Sequence, residues 1–168
     1  SALEFDAIVV NSFSKYFGMT GWRLGWLVVP ENAIESVEKL AQNLFICPAS
    51  ISQHAALAAF EPESRVIMEQ QRSAFEERRN IMVAGLRKLD FGVPEMPGGA
   101  FYVYAKLPDS MLLDSEAFCM QLLEGYGVAA TPGTDFGFFE ADRHVRFSYA
   151  NNVQALEKAL ARIEQALL

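Results

Sequence analysis

Only two cysteines and two histidines occur among the 168 residues. Cys47 and Cys119 have no Cys-x-x-Cys spacing and no histidine beside them, so ligand supply argues against a metal centre, and both thiols are read as core side chains. Basic charge is scarce as well: 14 lysines and arginines stand against 21 aspartates and glutamates, for a net charge of -7. A phosphate backbone needs clustered cations, and here they are scattered among acids, so nucleic acid is set aside as a partner. No apolar run approaches the ~20 residues that a membrane-spanning helix needs, and no basic-then-apolar leader is visible. That predicts a cytoplasmic protein without a membrane partner. Internal repeats and low-complexity tracts are missing too. What remains is an ordinary globular composition, 51% hydrophobic and 21% charged, at a length that suits one domain or pieces of two.

The chain starts with an apolar β-branched run, "FDAIVV" at residues 5–10, of the kind a doubly covered parallel strand gives. A second run, "LGWLVVP" from Leu24 to Pro30, reads as a strand finishing in a turn, with a loop between the two. After Pro30, Ile34, Val37, Leu40, Ala41, Leu44 and Phe45 recur at helical spacing, with Glu31 in the first turn and Pro48 as the stop. Ser50 to Phe60 reads as a shorter helix. From Pro62 to about Leu89 nothing breaks the helical pattern, and at 1.5 Å per residue such a helix is roughly 40 Å long, which suits a connector.

Beyond it, "AFYVYAK" and "HVRFSYA" alternate as strands, and "DSEAFCMQLLEGYG" has an acidic or hydroxyl start and a glycine stop. Asn152 to Leu168 places Val153, Leu156, Leu160, Ile163 and Leu167 on one helical face, with Asn151 or Asn152 as cap. The pattern predicts an α/β chain in three parts: two strands and two helices over residues 1–61, a connecting helix over 62–91, and a small α+β domain over 92–168.

The chemistry-bearing residues gather in "NSFSKYFGMTGWRLGW", residues 11–26. Two serines, three glycines and a threonine surround one lysine and one arginine, which are the ingredients of an anion cradle. Arg23, between Trp22 and Leu24 at the start of a strand, calls for a fixed anion such as phosphate, because an unpaired charge there is costly. Two chemistries use such a lysine. Ser12 and Lys15 spell the Ser-x-x-Lys of penicillin-binding enzymes, but that motif opens a helix, and neither Lys-Thr-Gly nor Ser-Asp-Asn appears. The alternative makes Lys15 a Schiff-base amine on an aldehyde cofactor, with Ser12 and Arg23 on its phosphate, and this uses every polar residue of the stretch.

The stretch resembles the cofactor-lysine segment of the class I aminotransferases, fold type I enzymes that use pyridoxal 5'-phosphate. There a Ser-x-Ser-Lys is followed by Gly-Trp-Arg-x-Gly, and the family arginine eight residues after the lysine matches Arg23. The resemblance continues through "PGGAFYVY", "GVAATPGTDFG" and "HVRFSYA" in the family's order. It implies that Lys15 holds the cofactor and moves the substrate's α-proton, that Ser12 and Arg23 bind the phosphate, and that Ser14 joins that shell or holds the loop. It further implies that Arg146 grips the substrate's α-carboxylate; read without the family, Arg146 is a strand arginine paired with Asp142 or Glu140. The resemblance covers only the C-terminal half of such an enzyme, makes residues 1–61 the remnant of its large cofactor-binding domain, and leaves out the aspartate that faces the cofactor ring nitrogen. It thus implies a catalytically poor fragment of a homodimeric transaminase acting on α-amino acids and 2-oxo acids. A lyase of the same fold, and a non-catalytic cofactor or ligand sensor, share Lys15 and remain alternatives. His54 and His144 read as structural, and Tyr102 and Tyr104 as packing residues on one strand face.

Overall fold

The computed structural model describes residues 7–168, so the first two residues of the "FDAIVV" run lie outside it. The strands are β1 (Val9–Ser12), β2 (Gly25–Val28), β3 (Tyr102–Lys106), β4 (Thr131–Pro132) and β5 (His144–Ser148). The helices are α1 (Glu31–Leu44), α2 (Ser50–Ala58), α3 (Pro62–Lys88), α4 (Ser115–Tyr126) and α5 (Val153–Ala166). The chain divides into two compact units, one ending at Arg72 and the other running Ser73–Leu168, with the division falling inside α3. Among the described residues no helix is long and apolar enough to cross a membrane.

In the first unit β1 and β2 pair antiparallel, with Val9 opposite Val28 and Ser12 opposite Gly25. The doubly covered parallel strand expected at residues 5–10 is therefore corrected: the described part of that run has an antiparallel neighbour, and Ile8, Val10 and Leu27 are exposed. An apolar run reports what a strand can bury. Its partner is set by where the chain returns, and here the intervening loop brings Gly25–Val28 back alongside. The buried centre is small, formed by Phe13, Met19, Ala56 and Ala59 with Phe17, Leu24 and Ala55 packed against it. α1 is amphipathic as its spacing predicts, yet none of its side chains is buried, and Leu40 and Leu44 are 61% and 76% exposed. Cys47, just beyond α1, is exposed as well, which corrects its reading as core: it lies on a surface link where Phe45 and Ile46 are exposed beside it.

The second unit has a conventional core. β5 lies between β3 and β4, antiparallel to both. Period-two alternation sends Val103, Ala105, Val145 and Phe147 inward against Leu86 of α3, Phe118 and Leu122 of α4, and Leu156 and Ile163 of α5. The opposite face carries Tyr102, Tyr104, His144 and Arg146. Helix ends follow the sequence signals. The Asp114 carboxylate accepts from the Ala117 amide at 2.8 Å, and Gly127 closes α4 in the left-handed region at φ 62°. Asn152 caps α5 by accepting from the Ala155 amide at 2.8 Å.

Candidate functional site

The loop between β1 and β2 carries Ser12, Ser14, Lys15 and Arg23. Phe13 fixes it by dropping into the small core, its ring 4.7 Å from that of Phe17 and 5.0 Å from that of Trp26. The backbone is pinned from both sides: Phe13 N–H donates to Leu24 O at 3.0 Å and Met19 N–H to Phe13 O at 3.1 Å. Lys15 sits on an exposed turn whose carbonyl accepts from Gly18 N–H at 3.0 Å, and Gly18 takes the left-handed conformation at φ 67° that suits glycine.

The two serine hydroxyls come together. Ser12 Oγ accepts from Ser14 N–H at 3.0 Å and donates to Ser14 Oγ at 2.9 Å. Thr20 of the cradle stretch and Ser52, which no sequence pattern marks, hold the far side of the loop: Thr20 Oγ1 donates to the Ser14 carbonyl, and buried Ser52 of α2 donates to the Trp22 carbonyl at 2.7 Å. Arg23 has a left-handed backbone at φ 52°, uncommon for a residue with a side chain, and its Nη1 donates to Thr20 O at 3.0 Å. The premise that Arg23 stands at a strand start is corrected: β2 begins at Gly25, and the Arg23 side chain is exposed, so solvation does not force an anion on it. Its unusual backbone is the better pointer to a role. Next to the lysine, the Tyr16 hydroxyl donates to Glu69 Oε1 at 2.6 Å; that bond lowers the Glu69 pKa and raises that of Tyr16.

These groups suit a phosphorylated aldehyde. Two adjoining hydroxyls and a permanent guanidinium charge are phosphate ligands, and a primary amine on the same loop is what an aldehyde condenses with. The donor set therefore fits pyridoxal 5'-phosphate. No cluster of metal-ligating side chains occurs among the described residues.

Arg146 lies in the second unit, in the middle of β5, opposite Tyr104 on β3 and Thr131 on β4. It forms no ion pair with Asp142 or Glu140, the acids nearest to it in sequence. Its guanidinium carbon is 4.1 Å from the Tyr102 ring centre and 4.2 Å from that of Phe136, and its Nη2 reaches Thr131 Oγ1 at 3.5 Å. Tyr102 packs as expected, with Arg146 as one of its partners. Phe136 and Thr131 escaped the sequence reading because their link to Arg146 depends on strand pairing that no local pattern records. His144 is structural, with Nδ1 2.7 Å from the Glu140 carbonyl and its ring stacked on Tyr104, whereas His54 lies exposed on α2.

Known proteins place these centres in context. A Mycobacterium tuberculosis valine–pyruvate aminotransferase is 44% identical over 158 residues, covering 94% of this chain and 40% of the relative. A Methanocaldococcus jannaschii (5-formylfuran-3-yl)methyl phosphate transaminase is 37% identical, covering 99% of the chain and 45% of the relative. Among solved structures, a Mycobacterium tuberculosis aminotransferase superimposes with a TM-score of 0.89 at 44% identity, over 96% of this chain and 41% of the other. A Methanococcus jannaschii protein, described as similar in its active site to kynurenine aminotransferases, gives 0.91 at 36% identity, over 100% of this chain and 45% of the other. The chain has their α/β fold and spans 40% to 45% of the length of the two curated relatives. The sequence model for aminotransferase class I and II matches residues 2–163, and the chain belongs to that family.

Proposed function

We propose that this chain carries the lysine-bearing part of a pyridoxal 5'-phosphate-dependent aminotransferase, which moves an amino group between an α-amino acid and a 2-oxo acid. The observation that supports it most is the β1–β2 loop, which gathers a primary amine, two mutually bonded hydroxyls and a guanidinium between Ser12 and Arg23. The family relationship points the same way. When bound, the cofactor supplies an aldehyde carbon for amines and a conjugated ring that accepts the electron pair left when a proton departs from the substrate Cα. Lys15 Nζ would hold that aldehyde and would carry the proton that leaves the substrate Cα. Ser14 would donate to the phosphate, Ser12 would join it by turning its hydroxyl proton away from Ser14 Oγ, and Arg23 would supply the counter-charge. Arg146 receives the substrate carboxylate on its N–H fork. The same reading gives the whole protein a homodimeric assembly in the cytoplasm, and turnover by this chain alone near that of free cofactor.

Titration of the chain with pyridoxal 5'-phosphate, followed by borohydride reduction and peptide mapping, tests the assignment. The expected result is a Schiff-base absorbance band with label confined to Lys15 and abolished by Lys15→Ala. Label spread over Lys39, Lys88 and Lys158 would refute a phosphate-guided site on this loop.

A further inference from the structure

Arg146 is held by two aromatic rings from separate elements. Tyr102 comes from β3, diagonal to Arg146 across the β3–β5 pairing, and Phe136 from the segment after β4. The guanidinium carbon lies over both rings, 4.1 Å from the centre of one and 4.2 Å from the centre of the other. Phe136 remains 48% exposed, so burial of its ring does not account for its place; a π face turned to a permanent cation does.

The clamp has its own support. Phe136 meets Tyr104 edge-on at 6.3 Å and 87°, and Tyr104 stacks on His144 at 4.9 Å and 4°. The Phe136 amide donates to Gly133 O at 2.8 Å. Gly133 is seated so tightly that a Cβ would fall 2.4 Å from Ala141 O and 2.6 Å from Tyr104 Oη. The loop bearing Phe136 is therefore fixed to the sheet that bears Arg146.

We propose that Tyr102 and Phe136 are positioning residues that hold Arg146 flat, so that the N–H edge of its guanidinium is what a substrate carboxylate meets. The proposal rests on the reading of Arg146 as the carboxylate grip. With two rings packed over its central carbon, the group is reached through the N–H groups at its rim, which is what a two-pronged carboxylate pair needs. Thr131 Oγ1, at 3.5 Å, is the single hydrogen-bond acceptor on that guanidinium among the described residues, and no carboxylate competes. An arginine already immobilised loses less freedom on binding, which is where the clamp raises affinity.

The test is 15N NMR of the chain, following the Arg146 Nε–H resonance, assigned by its loss in Arg146→Lys, with pyruvate as the carboxylate probe. Ring currents are expected to displace that resonance from the free-arginine position, and pyruvate to shift it saturably. Tyr102→Leu and Phe136→Leu should each return it toward the free position and weaken pyruvate binding by about tenfold, the effect of losing one cation–π face. Tyr102→Phe keeps the ring and should keep both properties. Unchanged pyruvate affinity in Phe136→Leu overturns the clamp alone. An Arg146 resonance in the unsubstituted chain that ignores pyruvate overturns the carboxylate grip and the clamp with it.

Discussion

Cys47 and Cys119 carry the same thiol in opposite surroundings: Cys47 is exposed, and Cys119 is buried in the second core beside Phe118 and Leu122. Burial, with a smaller push from Asp135, raises the Cys119 pKa from 9.0 to about 11. The folded state thus keeps a proton that the unfolded chain releases above pH 9. This stability contribution is complete below pH 9 and is lost as pH rises toward 11. The stability advantage of the unsubstituted chain over Cys119→Ala, read from urea midpoints, should shrink across that interval; a constant advantage would mean the thiol does not titrate as described. A thiol reagent at neutral pH should modify Cys47 at once and Cys119 only on unfolding. At this scale the loop was largely legible, because Ser12, Ser14, Lys15 and Arg23 are near neighbours in sequence. The surroundings of Arg146 were not: Tyr102 lies 44 positions before it, and only the pairing of β3 with β5 brings them together.

Among the elements, local signals translated well and non-local ones poorly. The caps at Asp114 and Asn152 and the stop at Gly127 act within one helical turn, so the residues themselves announce them. The antiparallel partner of β1 and the two-residue β4 depend on distant chain and left no local trace. Gly133 shows how much such a place can demand. In Gly133→Ala the new methyl meets the carbonyls of Ala141 and His144, both backbone atoms that cannot step aside. A loss of about 1–3 kcal/mol in unfolding free energy is expected, as for other overpacked sites. Because that loop carries Phe136, the Arg146 Nε–H resonance should move in the same variant. A Gly133→Ala chain of unchanged stability and unchanged Arg146 signal would show that the loop is not seated as tightly as its backbone contacts indicate.

At the scale of the molecule, the two units differ in what holds them. The second buries a continuous cluster running through α3, β3, α4, β5 and α5, whereas the first centres on four buried apolar residues and leaves Ile34, Leu40 and Leu44 of α1 exposed. Since apolar burial dominates folding free energy, the units should not share one stability. Pro62 marks where α3 begins, but which of its turns serves which unit is decided by packing and is not written in the helix itself. Native-state hydrogen exchange should therefore find its slowest amides at Val103, Val145 and Ile163, and much faster exchange along α1. Urea should unfold the chain in two steps, the first followed by Trp22 and Trp26 fluorescence, since both tryptophans lie in the first unit. Ile163→Ala opens a cavity in the larger core and should cost about 2–5 kcal/mol in the second step alone. If fluorescence and circular dichroism instead trace one coincident transition, and Ile163→Ala shifts all of it, the chain folds as a single cooperative body and the weak core around Phe13 is sustained by the strong one.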